Sequence, residues 1–220
     1  VSEAEVVDET SPVDPQTAYA ECKVRVEQDV GAMASADFAP VFLRNATAYG
    51  ASPRMRFDIV LNNLAGLAWS TGKIAMTSDG TPWRPIVHIE DIATAISACL
   101  SAPIDTIRGQ VFNVGSSEEN YRIREVAEIV KRVFPECELT FGPSGGDNRS
   151  YRVSFDKISA GLPGYKCRWT ALEGAKQLRR VFRRIAMGSE EFEAAPFTRL
   201  KCLNHLIASG QIDDEYYWVV

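Results

Sequence analysis

From about residue 40 onward, short apolar runs alternate with longer amphipathic stretches, and glycine or proline stands at most of the junctions. APVFLRN (39–45), KIAMT (73–77), PIVHI (85–89) and QVFNVG (110–115) have the length and β-branched content of strands. EDIATAISACLSA (90–102) and RIREVAEIVKRVF (122–134) have helical period and stop at Pro103 and Pro135. TAYAECKVRVEQDVGAMA, with Thr17 as a plausible N-cap, and FDIVLNNLAGLAWSTG, ending at Gly72, read as two earlier helices. The C-terminal part adds ELTFG, SYRVS and two or three helices, including TALEGAKQLRRVFRRIAM and FTRLKCLNHLIASG, with Gly210 expected just past the last of these. Residues 1–16 and the segment TAYGASPRMR read as loop. Strand and helix in alternation predict an α/β protein with a parallel sheet. Three core strands are legible, too few for a complete open sheet covered on both faces, so the missing N-terminal strands are expected to lie before Val1.

The chain of 220 residues carries 24 basic and 29 acidic side chains, a net charge of −5. A long-range field that attracts nucleic acid is therefore not expected. The five cysteines, at 22, 99, 137, 167 and 202, form no CxxC pair, which suits reduced, cytoplasmic thiols better than a disulfide framework or a zinc site. With only two histidines, no metal is expected. No apolar run is long enough to span a bilayer, so no membrane association is expected.

The segment Tyr19-Ala-Glu-Cys22-Lys23 sets a phenol and an ammonium one helical turn apart on the same face. A phenol is a poor base at neutral pH, and a neighbouring positive charge favours its anionic form. Such a pair suits proton exchange with a substrate hydroxyl. The same spacing on an ordinary amphipathic helix carries no chemistry, so the pair has to be weighed with the residues downstream of it. His88 beside apolar neighbours reads as a core histidine, and Asp91 as an acid at a helix N-terminus. The glycines at 142–146 lead into no apolar helix and read as plain loop, and Arg179, Arg180, Arg183 and Arg184 read as a solvated helix face.

After the Tyr/Lys helix come LRNATAYGAS, Asn62-Asn63-Leu64, DGTPWRPIVHIEDIA, VFNVG, SYRVSFDKI, a tryptophan and LEGAKQL. In order and spacing this series resembles the extended short-chain dehydrogenase/reductases, the NAD-dependent epimerase/dehydratase family, over essentially the whole chain. The resemblance implies that Tyr19 and Lys23 are the catalytic pair. Tyr19 would exchange the proton of a sugar hydroxyl, and Lys23 would hold the nicotinamide ribose. Asn45 and Ala46 would lie against the cofactor, NAD or NADP. Thr47, Asn63, Leu64 and Arg84 would hold a nucleotide-diphosphate sugar, with Arg84 pairing with a diphosphate oxygen. The resemblance further implies a homodimer of the full-length protein.

The fold expected from this resemblance is a partial Rossmann-type parallel sheet, its N-terminal strands missing, with a smaller C-terminal substrate-binding lobe. Residues 1–50 and 85–117 would be the remaining part of the dinucleotide-binding domain, and 51–84 and 118–220 the substrate-binding lobe. The sequence departs from the family pattern in lacking the glycine fingerprint and the upstream Ser or Thr, so this stretch alone is expected to bind cofactor poorly and to be inactive. Thr47 stands where the epimerases usually have Asn, and Ser144 where many have Arg, which leaves the sugar open. Two readings remain: an epimerase or dehydratase of nucleotide sugars working by transient hydride transfer, and a non-catalytic nucleotide- or protein-binding relative with a vestigial Tyr/Lys pair.

Overall fold

A computed structural model describes residues 6–144, 150–194 and 197–219. Among them the strands are β1 (Val6–Val7), β2 (Phe42–Asn45), β3 (Thr47–Tyr49), β4 (Lys73–Ala75), β5 (Trp83–His88), β6 (Val111–Val114), β7 (Asn120–Arg122), β8 (Glu138–Thr140) and β9 (Arg152–Val153). The helices are α1 (Ala18–Ala32), α2 (Val60–Ser70), α3 (Ile89–Ser101), α4 (Ile104–Ile107), α5 (Ile123–Val133), α6 (Asp156–Gly161), α7 (Ala171–Arg184), α8 (Ser189–Glu193) and α9 (Arg199–Ala208). The chain is therefore α/β, and three of its strand pairs, β1–β9, β2–β6 and β4–β8, run parallel. It divides into two units, Val1–Ala48 with Pro82–Arg122 and Asp147–Thr170, and Tyr49–Thr81 with Ile123–Gly146 and Ala171–Val220.

In the first unit β2 and β6 pair in register from Phe42↔Val111 to Asn45↔Val114. β5 stands between β3 and β7, antiparallel to β7. The core is built from one face of α3 (Ile92, Ala95, Ala98, Cys99), from Val87, Phe112 and Val114 of the strands, and from Phe155, Ile158 and Leu162 around α6. The spacing of the α3 residues puts all four on one helical stripe, which is why this helix packs and stays put. α1 is different in kind, because none of its residues is buried. It is held instead by its cap, where the Thr17 hydroxyl accepts from the Ala20 amide at 3.2 Å, and by Glu27, whose carboxylate takes Arg44 Nε from β2 at 3.0 Å.

In the second unit α2, α5 and α7 pack on one another. Val126, Ile129, Val130 and Val133 of α5 and Ala171, Gly174, Ala175, Leu178 and Phe182 of α7 are buried, each set recurring at helical spacing. Phe57 sits among Phe182, Phe192 and Phe197, with ring centroids at 5.8, 4.8 and 5.3 Å. Gly80, at φ +70°, turns the chain after β4, and its carbonyl accepts the Arg124 amide at 2.9 Å. A side chain there would be strained by the backbone angle and would meet Arg124 N at 2.7 Å.

Two expectations need correction. Residues 1–16 are not all loop, since Val6–Val7 pairs with Arg152–Val153, a strand too short to show a period. Thr47–Tyr49, expected as loop, is a strand that ends at Gly50 with φ +108°. The run 39–45 is a strand, but β2 is half-buried with Asn45 exposed, because its one pairing among the described residues is to β6. The short elements α4, β7, α6 and α8 fall below the length at which periodicity can speak. Of the loop at 142–146, residues 145 and 146 lie outside the described residues. Gly142 packs so that an added Cβ would meet Thr77 O at 2.5 Å, which explains a glycine there without any ligand.

Candidate functional site

The first turn of α1 presents Tyr19, 73% exposed, with Lys23 one turn on. The Lys23 ammonium lies 5.5 Å from the centroid of the Tyr19 ring. The expected pairing of phenol and cation is thus present in space, on an open helix face whose start is fixed by Thr17 and whose middle is fixed by Glu27–Arg44. Arg44 also donates to the Glu9 carbonyl at 3.4 Å, and the Glu9 carboxylate accepts the Asn113 amide at 2.7 Å. The segment before α1 is thereby tied to both strands of the β2–β6 pair. No spacing rule relates residues on different elements, so Glu9, Glu27 and Arg44 could not be picked from sequence as the groups that position α1.

Asn45 closes β2, and the Ala46 amide continues the ladder by donating to Val114 O at 3.1 Å. Ala46 packs on the core, while Thr47 opens β3 and is half-buried. The three therefore form one continuous backbone step beyond the strand end. Arg84 on β5 lies over the Tyr151 ring at 5.3 Å and donates to the Trp83 carbonyl at 2.7 Å. Trp83, on the opposite face of the strand, carries the guanidinium groups of Arg122 and Arg152 at 5.3 and 5.0 Å from its ring.

Asn63 and Leu64 belong to the second unit. The Asn63 side-chain Nδ2 donates to Phe57 O at 2.8 Å, and Leu64 is buried in the helical core. Its neighbour Asn62 is more deeply buried, its carboxamide accepting from Gly50 N at 2.9 Å and donating to Arg56 O at 3.0 Å. The double asparagine thus serves the turn after β3 and the segment entering α2.

His88 and Asp91 are core groups, as the sequence suggests. His88 Nδ1 accepts the Glu90 amide at 3.1 Å and so caps α3, while its ring stacks on Trp169 at 3.9 Å and 9°. The Asp91 carboxylate accepts from Arg168 N and Trp169 N, both at 3.0 Å, and from the Cys167 thiol at 3.1 Å. Burial, then the Asp91 carboxylate, push the Cys167 thiol up to about 12, and burial pushes the Tyr165 phenol up as well. Both groups are neutral at physiological pH and neither is a nucleophile there. Among the described residues no group of three or more His, Cys, Asp or Glu side chains could hold a metal ion, and no helix is long and apolar enough to cross a membrane.

Comparison with known proteins places this fold in a class. The profile of the NAD dependent epimerase/dehydratase family matches residues 2–115, more than half of the chain, and the chain belongs to that family. Among solved structures it is similar to a UDP-glucuronic acid 4-epimerase from Bacillus cereus in complex with UDP-glucuronic acid and NAD, with a TM-score of 0.70 and 21% identity over 83% of this chain and 58% of that one. It is also similar to TunA, an NAD-dependent NDP-hexosamine 5,6-dehydratase of tunicamycin biosynthesis, with a TM-score of 0.68 and 21% identity over 83% and 59% of the two chains. RMD from Pseudomonas aeruginosa, complexed with NADPH, matches at a TM-score of 0.67 and 18% identity over 80% and 60%. At such identities the likeness is one of fold, a partial Rossmann-type α/β structure. The chain spans about three fifths of the length of these relatives.

Proposed function

We propose that this chain supplies the acid/base pair and the substrate-holding groups of an NAD(P)-dependent epimerase/dehydratase that acts on a nucleotide sugar. The observation that carries this reading is the Lys23 ammonium 5.5 Å from the Tyr19 ring on an exposed, capped helix, in a chain of this family. The names of its structural relatives, with NAD, NADPH and UDP-glucuronic acid bound, support the cofactor and substrate class.

The residues present fit the nicotinamide end of such a cofactor, because a phenol and an ammonium on one helical turn offer donors to ribose hydroxyls. A bound nicotinamide would supply hydride acceptance from a sugar carbon. Tyr19 Oη takes the proton of the hydroxyl on that same carbon, leaving a ketone that is then epimerised, dehydrated or reduced. Lys23 holds the ribose beside Tyr19. The backbone at Asn45 and Ala46 supports the nicotinamide, and Thr47 faces the sugar. Arg84 pairs with a diphosphate oxygen, a task suited to the planar fork of guanidinium donors. Asn63 holds the nucleotide diphosphate through its amide, with Leu64 anchoring that turn of α2 in the core. α1 has no buried residue, and a second copy of the full-length protein would pack against a face that does not carry Tyr19 and Lys23.

In the full-length protein, Tyr19→Phe is expected to lower turnover by about 10²–10⁴-fold with an unchanged circular dichroism spectrum. Turnover equal to wild type would overturn the mechanism and favour a non-catalytic relative.

A further inference from the structure

The second unit carries a cationic groove that has no part in the chemistry above. Its volume is about 460 Å³, and five of its lining side chains are Arg132, Lys176, Arg179, Arg180 and Arg183. Four of these recur at i, i+3, i+4 and i+7 along α7, which puts them on one face over roughly 10 Å of helix. Arg132 joins them from the last turn of α5.

Two of the five are held in place by the protein. Arg179 donates to Val133 O at 2.6 Å, lies over the Phe134 ring at 5.5 Å and reaches Glu136 at 3.3 Å. Lys176 pairs with Glu173 at 2.8 Å. Arg132, Arg180 and Arg183 have no hydrogen-bond or ion-pair partner among the described residues. Among the described residues, two carboxylates, Glu173 and Glu136, pair with these five cations, in a chain whose net charge is −5. Like charges three and four apart destabilise an isolated helix, so a stripe of this kind is not favoured by helix stability.

The size of the groove selects among anions. It falls within the range of about 300–1,000 Å³ common for small-molecule sites. Some ten ångströms of cationic helix match two or three linked phosphates and are too short to track a nucleic-acid backbone. Guanidinium forks suit phosphate oxygens, and Val133 and Leu172 give the groove an apolar border. We infer that the groove between α5 and α7 binds a small anion bearing two or three linked phosphate groups, at a site that does not use Arg84. This inference does not depend on the proposed catalytic function.

The test is calorimetric titration of the full-length protein with inorganic triphosphate and, in a second arm, with a nucleoside triphosphate. Saturable one-to-one binding is expected, weakened about tenfold or more in Arg180→Gln/Arg183→Gln and retained in Arg84→Gln. Tighter binding of the nucleoside form, equally sensitive to the double variant, would identify a nucleotide as the occupant and support the site. No saturable heat with either probe, or binding lost in Arg84→Gln and kept in the double variant, would overturn it. A hexaglutamate peptide binding more tightly than triphosphate would also overturn it, in favour of an acidic protein segment. Neither substituted arginine is buried, so a matching thermal melt is expected to show that the double variant is folded.

Discussion

Asp91 shows how much a single buried carboxylate can organise. It gathers two backbone amides and a thiol from residues 167–169, and its helix is capped by the His88 ring that stacks on Trp169. Asp91→Ala leaves those part-buried amides without an acceptor, and a loss of about 1–3 kcal/mol is expected in chemical denaturation. An unchanged midpoint would mean that water replaces the carboxylate there. Cys167 gives a pH signature at the same place. Its value in the fold is raised from 9.0 to about 12, so the fold favours the neutral thiol. The stability this contributes is complete below about pH 9 and is lost as pH climbs from 9 towards 12. Alkylation near pH 8 is expected to modify the exposed Cys22 readily and Cys167 only on unfolding. At this scale the sequence shows residue types and local spacing and little else. Tyr19 with Lys23 is legible because a helical turn relates them, and His88 reads as core because its neighbours are apolar. The reach of Asp91 to residues 77 and 78 positions away has no local signature.

Among the elements, the best-read helices are those whose own sequence closes the argument. α5 and α7 repeat apolar residues at helical spacing and bury those very positions. α1 is recognisable from Thr17 and the absence of breakers before Gly31, yet it buries nothing, so its amphipathic pattern cannot say what holds it. Thr17→Ala removes its cap and is expected to cost about 1 kcal/mol in thermal or chemical unfolding. α7 approaches Tyr49 so closely that a Cβ on Gly174 would lie 2.2 Å from the ring. Tyr49 is 2% exposed and has no room to retreat. Gly174→Ala therefore gains helix propensity but is expected to destabilise by about 1–3 kcal/mol net, measurable as a lower denaturation midpoint. A stabilised variant would show that the ring can move. The shortest elements escape sequence reading for want of length, and their placement comes from pairings such as Val6↔Arg152.

For the molecule as a whole, the α/β class is legible from alternation, and the family from motifs in order. How each unit is assembled is less so, because the second unit is joined by contacts such as Ala51 N to Gln177 Oε1, 126 residues apart. No periodicity encodes such a pairing, and each unit is drawn from three separate stretches of chain. Family membership supplies the chemistry to look for, and the proposed place for it is the Tyr19–Lys23 contact. The most direct measurement is the absorbance of reduced nicotinamide after the full-length protein, loaded with NAD, is mixed with a nucleotide-sugar substrate. Wild type should show a transient rise that Tyr19→Phe lacks while still binding cofactor and sugar nucleotide. A rise of equal rate and height in Tyr19→Phe would contradict the account.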